Sequence, residues 1–346
     1  MDYAKPKYSV QEVNSAGRML AKLEGTIEEL GWAIDVIDNW RASHAYPAQS
    51  FYVTLKRRAN KVHAQAITAQ RIKRLPSIAF KLIHMKDLKL SQMQDVGGCR
   101  AVLPSLNQVR KLQQVYEKSD WGHKEINPKD YISYPKDTGY RGVHLKYRFG
   151  GKGDKSPYDG LKIEIQLRTN LQHKWATAVE AADTFTKQAL KSNKGKKEWH
   201  RFFALMSSIF ALREKSPLVP GTPITFNELV SEIKQLDSQY HFASMFMGYT
   251  TIFPHVEKKS DSKFYLVTLD PVAMTVNVKG FKGRETQLAN KEYTEAEKAL
   301  ADDDSATQVV LVSVSSVSAL KKAYPNYFLD TKEFLGEVLK VLNSSA

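Results

Sequence analysis

Residues 143–169 read VHLKYRFGGKGDKSPYDGLKIEIQLRT, and the two ends of this stretch share one pattern. Apolar and polar residues alternate in VHLKYRF and again in LKIEIQLRT, which is the period of a strand with one buried face. The insert GGKGDKSPYDG, rich in Gly, Pro and Asp, predicts a hairpin loop between them. Alternation alone sets Glu164 apart from Ile163 and Ile165, on the solvated side.

The neighbouring segments supply the rest of a sheet and its cover. Upstream, DVGGCRAVLP reads as a buried strand after a glycine pair, and LNQVRKLQQVYEKS as a helix. A helical spacing of apolar residues runs from Ser9 to about Trp40, where SHAYPAQ is expected to break it. A second helical stretch is expected from about Ser50 to Arg74, and SIAFKLIHM resumes as a short helix after Pro76. Downstream, a helix is expected from about Asn170 to Ala189. The fold class that follows is α+β, a mixed β-sheet with flanking helices.

A second region follows EKSPLVPGTP (214–223), whose three prolines and one glycine mark a linker. Beyond it the sequence predicts a helix from Thr225 to Phe246, strands KFYLVTLD and AMTVNVKGF, a helix near Thr294–Ala301, a strand TQVVLVSVS and a helix from Thr331 to Leu342. This is a smaller α+β unit. The expected division is 1–213, a linker and connecting helix over 214–250, and 251–346.

Composition narrows the chemistry. The chain has 346 residues and a net charge of +14, unevenly spread. Residues 216–346 hold 13 Lys and Arg against 16 Asp and Glu, a balance of −3, which leaves +17 in residues 1–215. A basic part beside a mildly acidic one points to polyphosphate or nucleic acid as the ligand of the first, although Lys-rich stretches also suit plain solvated helix ends. The single cysteine, Cys99, excludes an internal disulfide and a Cys-based zinc site, so a metal here needs oxygen ligands. No apolar run reaches the roughly 18 residues of a membrane span, and the start lacks a signal-peptide core; a cytoplasmic protein with no membrane partner is expected.

Three clusters carry candidate chemistry. In RIKRLPSIAFK, Arg71, Lys73, Ser77 and Lys81 can set donors around a phosphate chain where Pro76 interrupts the helical pattern. DVGGCR offers Asp95, two glycines that let the backbone approach a ligand, and Arg100. IEIQLRT offers Glu164. An Asp and a Glu from different strands, with no Cys or His cluster, are what Mg²⁺ on a nucleotide's phosphates requires. A fourth stretch, DYISYPKDTGYRGVH (130–144), places Tyr140 after a glycine in a polar turn, where its ring can stack on a base.

These clusters, taken in order with QHKWA, resemble the nucleotide pyrophosphokinase domain of RelA/SpoT-type alarmone synthetases over about residues 50–185. The resemblance implies that Arg71 and Arg100 sandwich the adenine of ATP and that Lys73, Ser77 and Lys81 hold its phosphates. It implies that Asp95 and Glu164 coordinate Mg²⁺, with Glu164 also activating the acceptor hydroxyl. Tyr140 would stack on the acceptor base, and Lys136, His144, Gln166 and Arg168 would line the acceptor side. The implied reaction is attack by a ribose hydroxyl on the β-phosphorus of ATP.

Where alarmone enzymes usually read Ser-Leu-His-Thr, this chain reads Gly142-Val143-His144-Leu145. With the surplus positive charge, this favours the toxic small synthetases, which modify the 3′ CCA end of tRNA. The carboxy-terminal half, with the pair Tyr324 and Tyr327 in KKAYPNYFLD, resembles the fused antitoxin of CapRel proteins. That resemblance implies a pseudo-zinc-finger domain that lays the tyrosines over the adenine site in an intramolecular, autoinhibitory contact. It further implies release by a phage protein, the major capsid protein, in anti-phage defence. Two other readings stand beside it: an alarmone synthetase making (p)ppGpp or (p)ppApp from free nucleotides, and a non-enzymatic RNA-binding or phage-sensing module.

Overall fold

The computed structural model describes residues 3–85, 87–186, 196–257, 261–270, 275–301, 307–313 and 327–344. The chain forms two compact units, one of residues 1–131 and 142–170, the other of residues 132–141 and 171–346.

In the first unit, α1 (Val10–Lys22) and α2 (Ile27–Ser43) replace the single helix that apolar spacing suggests. Leu23 takes the left-handed conformation at φ 54°, which ends α1, and Thr26 restarts the chain by exchanging capping bonds with Glu29. SHAYPAQ does break the helix, since α2 ends at Ser43, but the break is only His44: α3 (Ala45–Val62) begins inside the same stretch, with Pro47 in its first turn, where a missing N–H costs nothing. The second expected helix also stops early. Its last part, Ile67–Ile72, is strand β1, and ITAQRI carries the β-branched residues that favour a strand. Then come α4 (Leu75–His84), β2 (Gly97–Leu103), α5 (Leu106–Glu117), the short β3 (Lys124–Glu125) and β4 (Lys129–Asp130), β5 (Val143–Arg148) and β6 (Lys162–Thr169).

The sheet is mixed, as expected. Its order is β1-β2-β6-β5-β3, with β4 also on β5; β2 and β6 run parallel and the other pairs antiparallel. The hairpin read at 143–169 is β5–β6. One face carries Cys99, Ala101, Leu145, Tyr147, Ile163, Ile165 and Leu167, all buried, and α3 and α5 pack on the sheet. Glycine is required where β2 begins. A Cβ on Gly97 would lie 2.8 Å from Ile163 Cδ1 and 3.1 Å from His44 Cβ, and one on Gly98 would lie 3.1 Å from the Glu164 carbonyl oxygen.

The second unit is built on helices α6 (Asn170–Thr186), α7 (Lys197–Arg213), α8 (Phe226–Tyr240), α9 (Phe242–Glu257) and α11 (Tyr327–Leu342). His241, at φ 54°, divides α8 from α9 within the single helix expected there. Helix α7 is buried nearly all round, and its Trp199, Phe202, Phe203 and Phe210 pack with Phe242, Phe246 and Phe334. Strands β7 (Ser262–Asp270), β8 (Thr275–Lys282) and β9 (Gln308–Ser313) form an antiparallel sheet in the order β8-β7-β9. Helix α10 (Thr286–Ala301), longer than expected, packs against it. Helix α11 is fixed by ion pairs from Asp330 to His173 (3.2 Å), from Glu333 to Lys174 (2.9 Å) and from Glu337 to Arg213.

Candidate active site

The face of the first sheet opposite its helices is polar because β5 and β6 place their second set of side chains there. Lys146 stands opposite Glu164 and His144 opposite Gln166. Gly98 lies beside Glu164 and Arg100 beside Gln166 on β2. Arg71 pairs with Gly98, so Arg71 and Arg100 are diagonal neighbours on one face of adjacent strands, within reach of a common flat group.

At the end of this row the chain leaves β1 and enters β2. Lys73 follows β1, and its backbone N–H donates to the carbonyl of Val96 at 2.7 Å. This brings the Lys73 Nζ within 2.8 Å of Asp95 Oδ2. Lys81 reaches Asp95 Oδ1 at 3.0 Å from α4. Ser77 lies one turn before Lys81, on the same side of the helix, in its first turn. Of the four residues expected around phosphates, Lys73 and Lys81 therefore converge on Asp95, Ser77 shares the Lys81 side of α4, and Arg71 stands further along β1.

Glu164 is buried, not solvated as simple alternation suggests, with 7 % of its surface exposed. Its polar neighbours account for this. Glu164 Oε1 lies 2.8 Å from His144 Nδ1, and Oε2 accepts from Gln166 Nε2 at 2.7 Å. Gln166 Oε1 in turn accepts from Arg168 Nη2 at 2.9 Å. The four residues form a continuous polar relay.

Electrostatics keep both acids ionised. Burial pushes the Asp95 carboxyl up, but the ammonium groups of Lys73 and Lys81 outweigh it and hold Asp95 far below the usual carboxylate range. Burial also raises Glu164, and the bonds from His144 and Gln166 outweigh that, leaving it at about 2. The Asp95 charge acts on Glu164 in the raising direction, so the two carboxylates sense each other. Lys73 is lowered chiefly by burial, partly offset by Asp95, and Lys146 chiefly by burial, partly offset by Glu164.

This donor set suits one kind of metal. Among the described residues no group of three or more His, Cys, Asp and Glu could cage an ion. Two ionised carboxylates among lysines instead fit Mg²⁺, which takes one or two carboxylates and completes its shell with phosphate and water oxygens. Sequence reasoning missed Lys146 and Lys129. Lys146 was detectable, being two residues from His144 on an alternating strand; Lys129 enters only through its pairing with His144, which the sequence does not show.

Tyr140 and Lys136 belong to the second unit. There Lys136 Nζ lies 5.5 Å from the centre of the Tyr140 ring, which packs edge-on against Trp175 at 6.3 Å. Gly139, at φ +89°, has no room for a Cβ beside Trp175, and its carbonyl accepts from Ser207 Oγ at 2.6 Å. Tyr324 lies outside the described residues; Tyr327 opens α11, and its side chain is outside them as well.

Residues 70–189 match the family model of the region found in RelA / SpoT proteins. The match takes in about a third of the chain and includes every site residue named above except Tyr324 and Tyr327. The GTP pyrophosphokinase YwaC of Bacillus subtilis is 29% identical over 117 residues, covering 32% of this chain and 54% of YwaC. The chain spans from a tenth to about half the length of the curated relatives it matches. Among solved structures, small alarmone synthetases 1 and 2 of Bacillus subtilis are each 20% identical to it, with TM-scores of 0.43 and 0.44. They correspond to 50% and 51% of this chain and to 88% and 94% of their own. Among the described residues no helix is long and apolar enough to cross a membrane.

Proposed function

We propose that this protein is an ATP-dependent pyrophosphokinase whose acceptor is the 3′ CCA end of tRNA, restrained by its own carboxy-terminal residues 251–346. The observation that carries the catalytic part is the pair of ionised carboxylates, Asp95 and Glu164, set among Lys73, Lys81 and Lys146 on one end of the sheet. The charge balance of +17 in residues 1–215 supports a nucleic-acid acceptor.

The reaction forms a bond from the acceptor ribose oxygen to the β-phosphorus of ATP and breaks the bond from that phosphorus to the α–β bridging oxygen, which leaves on AMP. Arg71 and Arg100 stack on the adenine. Lys73 and Lys81 turn from Asp95 toward the phosphates as these arrive, while Ser77 donates to a phosphate oxygen. Asp95 and Glu164 would hold Mg²⁺, which neutralises charge that develops on the phosphates. Glu164 accepts the hydrogen bond of the attacking hydroxyl; at a pKa of about 2 it orients that hydroxyl better than it removes the proton outright. His144 and Gln166 fix the Glu164 carboxylate, and Arg168 fixes Gln166. Tyr140 and Lys136 serve the acceptor base and backbone.

Tyr324 and Tyr327 would compete for the adenine-binding arginines as an intramolecular lid, released when a phage protein, the major capsid protein, engages residues 251–346 in the cytoplasm. The test incubates ATP labelled on its γ-phosphate with the full chain carrying Tyr324→Ala and Tyr327→Ala. Label on deacylated tRNA, lost with Asp95→Asn, is expected. Label only on a guanosine or adenosine nucleotide would move the assignment to a (p)ppGpp or (p)ppApp synthetase. No label on either acceptor, with no growth phenotype, would leave a non-enzymatic module.

A further inference from the structure

Helix α2 precedes the residues that match the family model, yet its last turn reaches the candidate site. Lys73 stands in the two-residue connection between β1 and α4, one step past the last β1–β2 pair, Ile72 with Gly97. Its backbone polar groups therefore need partners beyond the ladder. The N–H goes to the Val96 carbonyl, and the Lys73 carbonyl oxygen accepts from Arg41 Nε at 2.9 Å. Arg41 Nη1 donates in turn to Asp38 Oδ1, one turn earlier on α2. His44, one turn later on the same side of the helix, covers the start of β2, where a Cβ on Gly97 would lie 3.1 Å from its own. The end of α2 thus brackets the crossing that carries Lys73 on one arm and Asp95 on the other. All of these residues belong to the first unit.

Arg41 meets Lys73 at its carbonyl, while the Lys73 ammonium group rests on Asp95. Its contribution is to geometry. A flexible four-carbon stem delivers its ammonium group to one place only when the backbone from which it hangs is fixed. We propose that Arg41 is a positioning residue: by pinning the Lys73 carbonyl it fixes the backbone from which Lys73 reaches the donor's phosphates. The site then draws one of its supports from outside residues 70–189. This rests on the pyrophosphokinase reading above. Without the bond the Lys73 peptide is free to rotate, and affinity for ATP falls about tenfold, the worth of one hydrogen bond to a charged group.

The test measures ATP binding by calorimetry, with the full chain carrying Tyr324→Ala and Tyr327→Ala as parent. Arg41→Met, which keeps the length of the side chain but removes the donor, should raise the dissociation constant about tenfold. Arg41→Lys restores a donor of similar reach and should recover most of the loss. In a Lys73→Gln background Arg41→Met should have no further effect, since Arg41 acts through Lys73. A purely structural role would lower the number of binding sites per chain and leave the constant unchanged. That result overturns the positioning role while the pyrophosphokinase reading stands. An equal loss in both backgrounds also overturns it, because Arg41 would then act independently of Lys73. A parent that binds no ATP overturns the pyrophosphokinase reading, and the positioning role with it.

Discussion

Lys73 Nζ and Asp95 Oδ2 lie 2.8 Å apart, with Lys81 on the second carboxylate oxygen at 3.0 Å, so one acid holds two cations at the crossing from β1 to β2. Asp95→Asn keeps the shape and removes the charge. It should abolish detectable pyrophosphoryl transfer, a loss of at least about 10³-fold. It should also lower stability by about 1–3 kcal/mol, because Lys73 is left partly buried without its counter-charge. Steady-state rates and urea midpoints measure the two effects separately. Full activity in the Asp95→Asn variant would remove Asp95 from the reaction.

Glu164 makes a different prediction because its partners are a histidine and an amide. Glu164→Gln preserves a hydrogen-bonding oxygen but loses the carboxylate that His144 and Gln166 support. Transfer should fall about 10²- to 10³-fold, mostly in kcat, with ATP binding measured by calorimetry changed far less. An equal loss in ATP affinity would place Glu164 in donor binding.

His44 reports on acid stability. It is 1% exposed, its Nδ1 lies 2.7 Å from the Trp40 carbonyl, and burial together with the positive charge of Lys162 depresses its pKa to about 4 despite that contact. The unfolded chain binds this proton near pH 6.5 while the folded chain refuses it until about 4. The unfolded state thus holds more protons in that window, and stability falls as pH drops through it. The loss from pH 7 to pH 5 should be about 2 kcal/mol. Urea midpoints at the two pH values, compared with those of His44→Gln, measure it. A parallel loss in both proteins would exclude His44.

The alternating pattern of 143–169 carried the hairpin and the polar face, and DVGGCR carried the central strand, because both are local features of period two. What depends on distant contacts was less legible. Whether Glu164 faces water or a buried relay is decided by His144, on another strand. The end of α3 and the start of β1 were hidden because Gln and Arg in ITAQRI also suit a helix, and sheet pairing with β2 overrides that preference. Helix α7 showed no amphipathic stripe because nearly every side is covered, so periodicity had nothing to separate. The breaks at Leu23 and His241 rest on left-handed conformations in non-glycine residues, for which composition offers no warning.

Gly98 joins fold to chemistry. It stands beside Glu164 in the parallel β2–β6 ladder, and a methyl added there would meet the Glu164 carbonyl oxygen at 3.1 Å. That neighbour is backbone in a central strand, so relief requires β2 and β6 to separate by a few tenths of an ångström. Separation shifts Asp95, just before β2, relative to Glu164 on β6. Gly98→Ala should therefore cost about 1–3 kcal/mol in stability, and should lower transfer by a larger factor than the fraction unfolded explains, since small misplacements of catalytic groups cost up to about 10²-fold. Exposed Gly221, at φ +73° with open space around its Cβ position, is the control: Gly221→Ala strains the backbone but touches neither carboxylate. Activity corrected for folded fraction should fall in the first variant only. Equal corrected activities would show that β2 and β6 tolerate the methyl without moving the two acids.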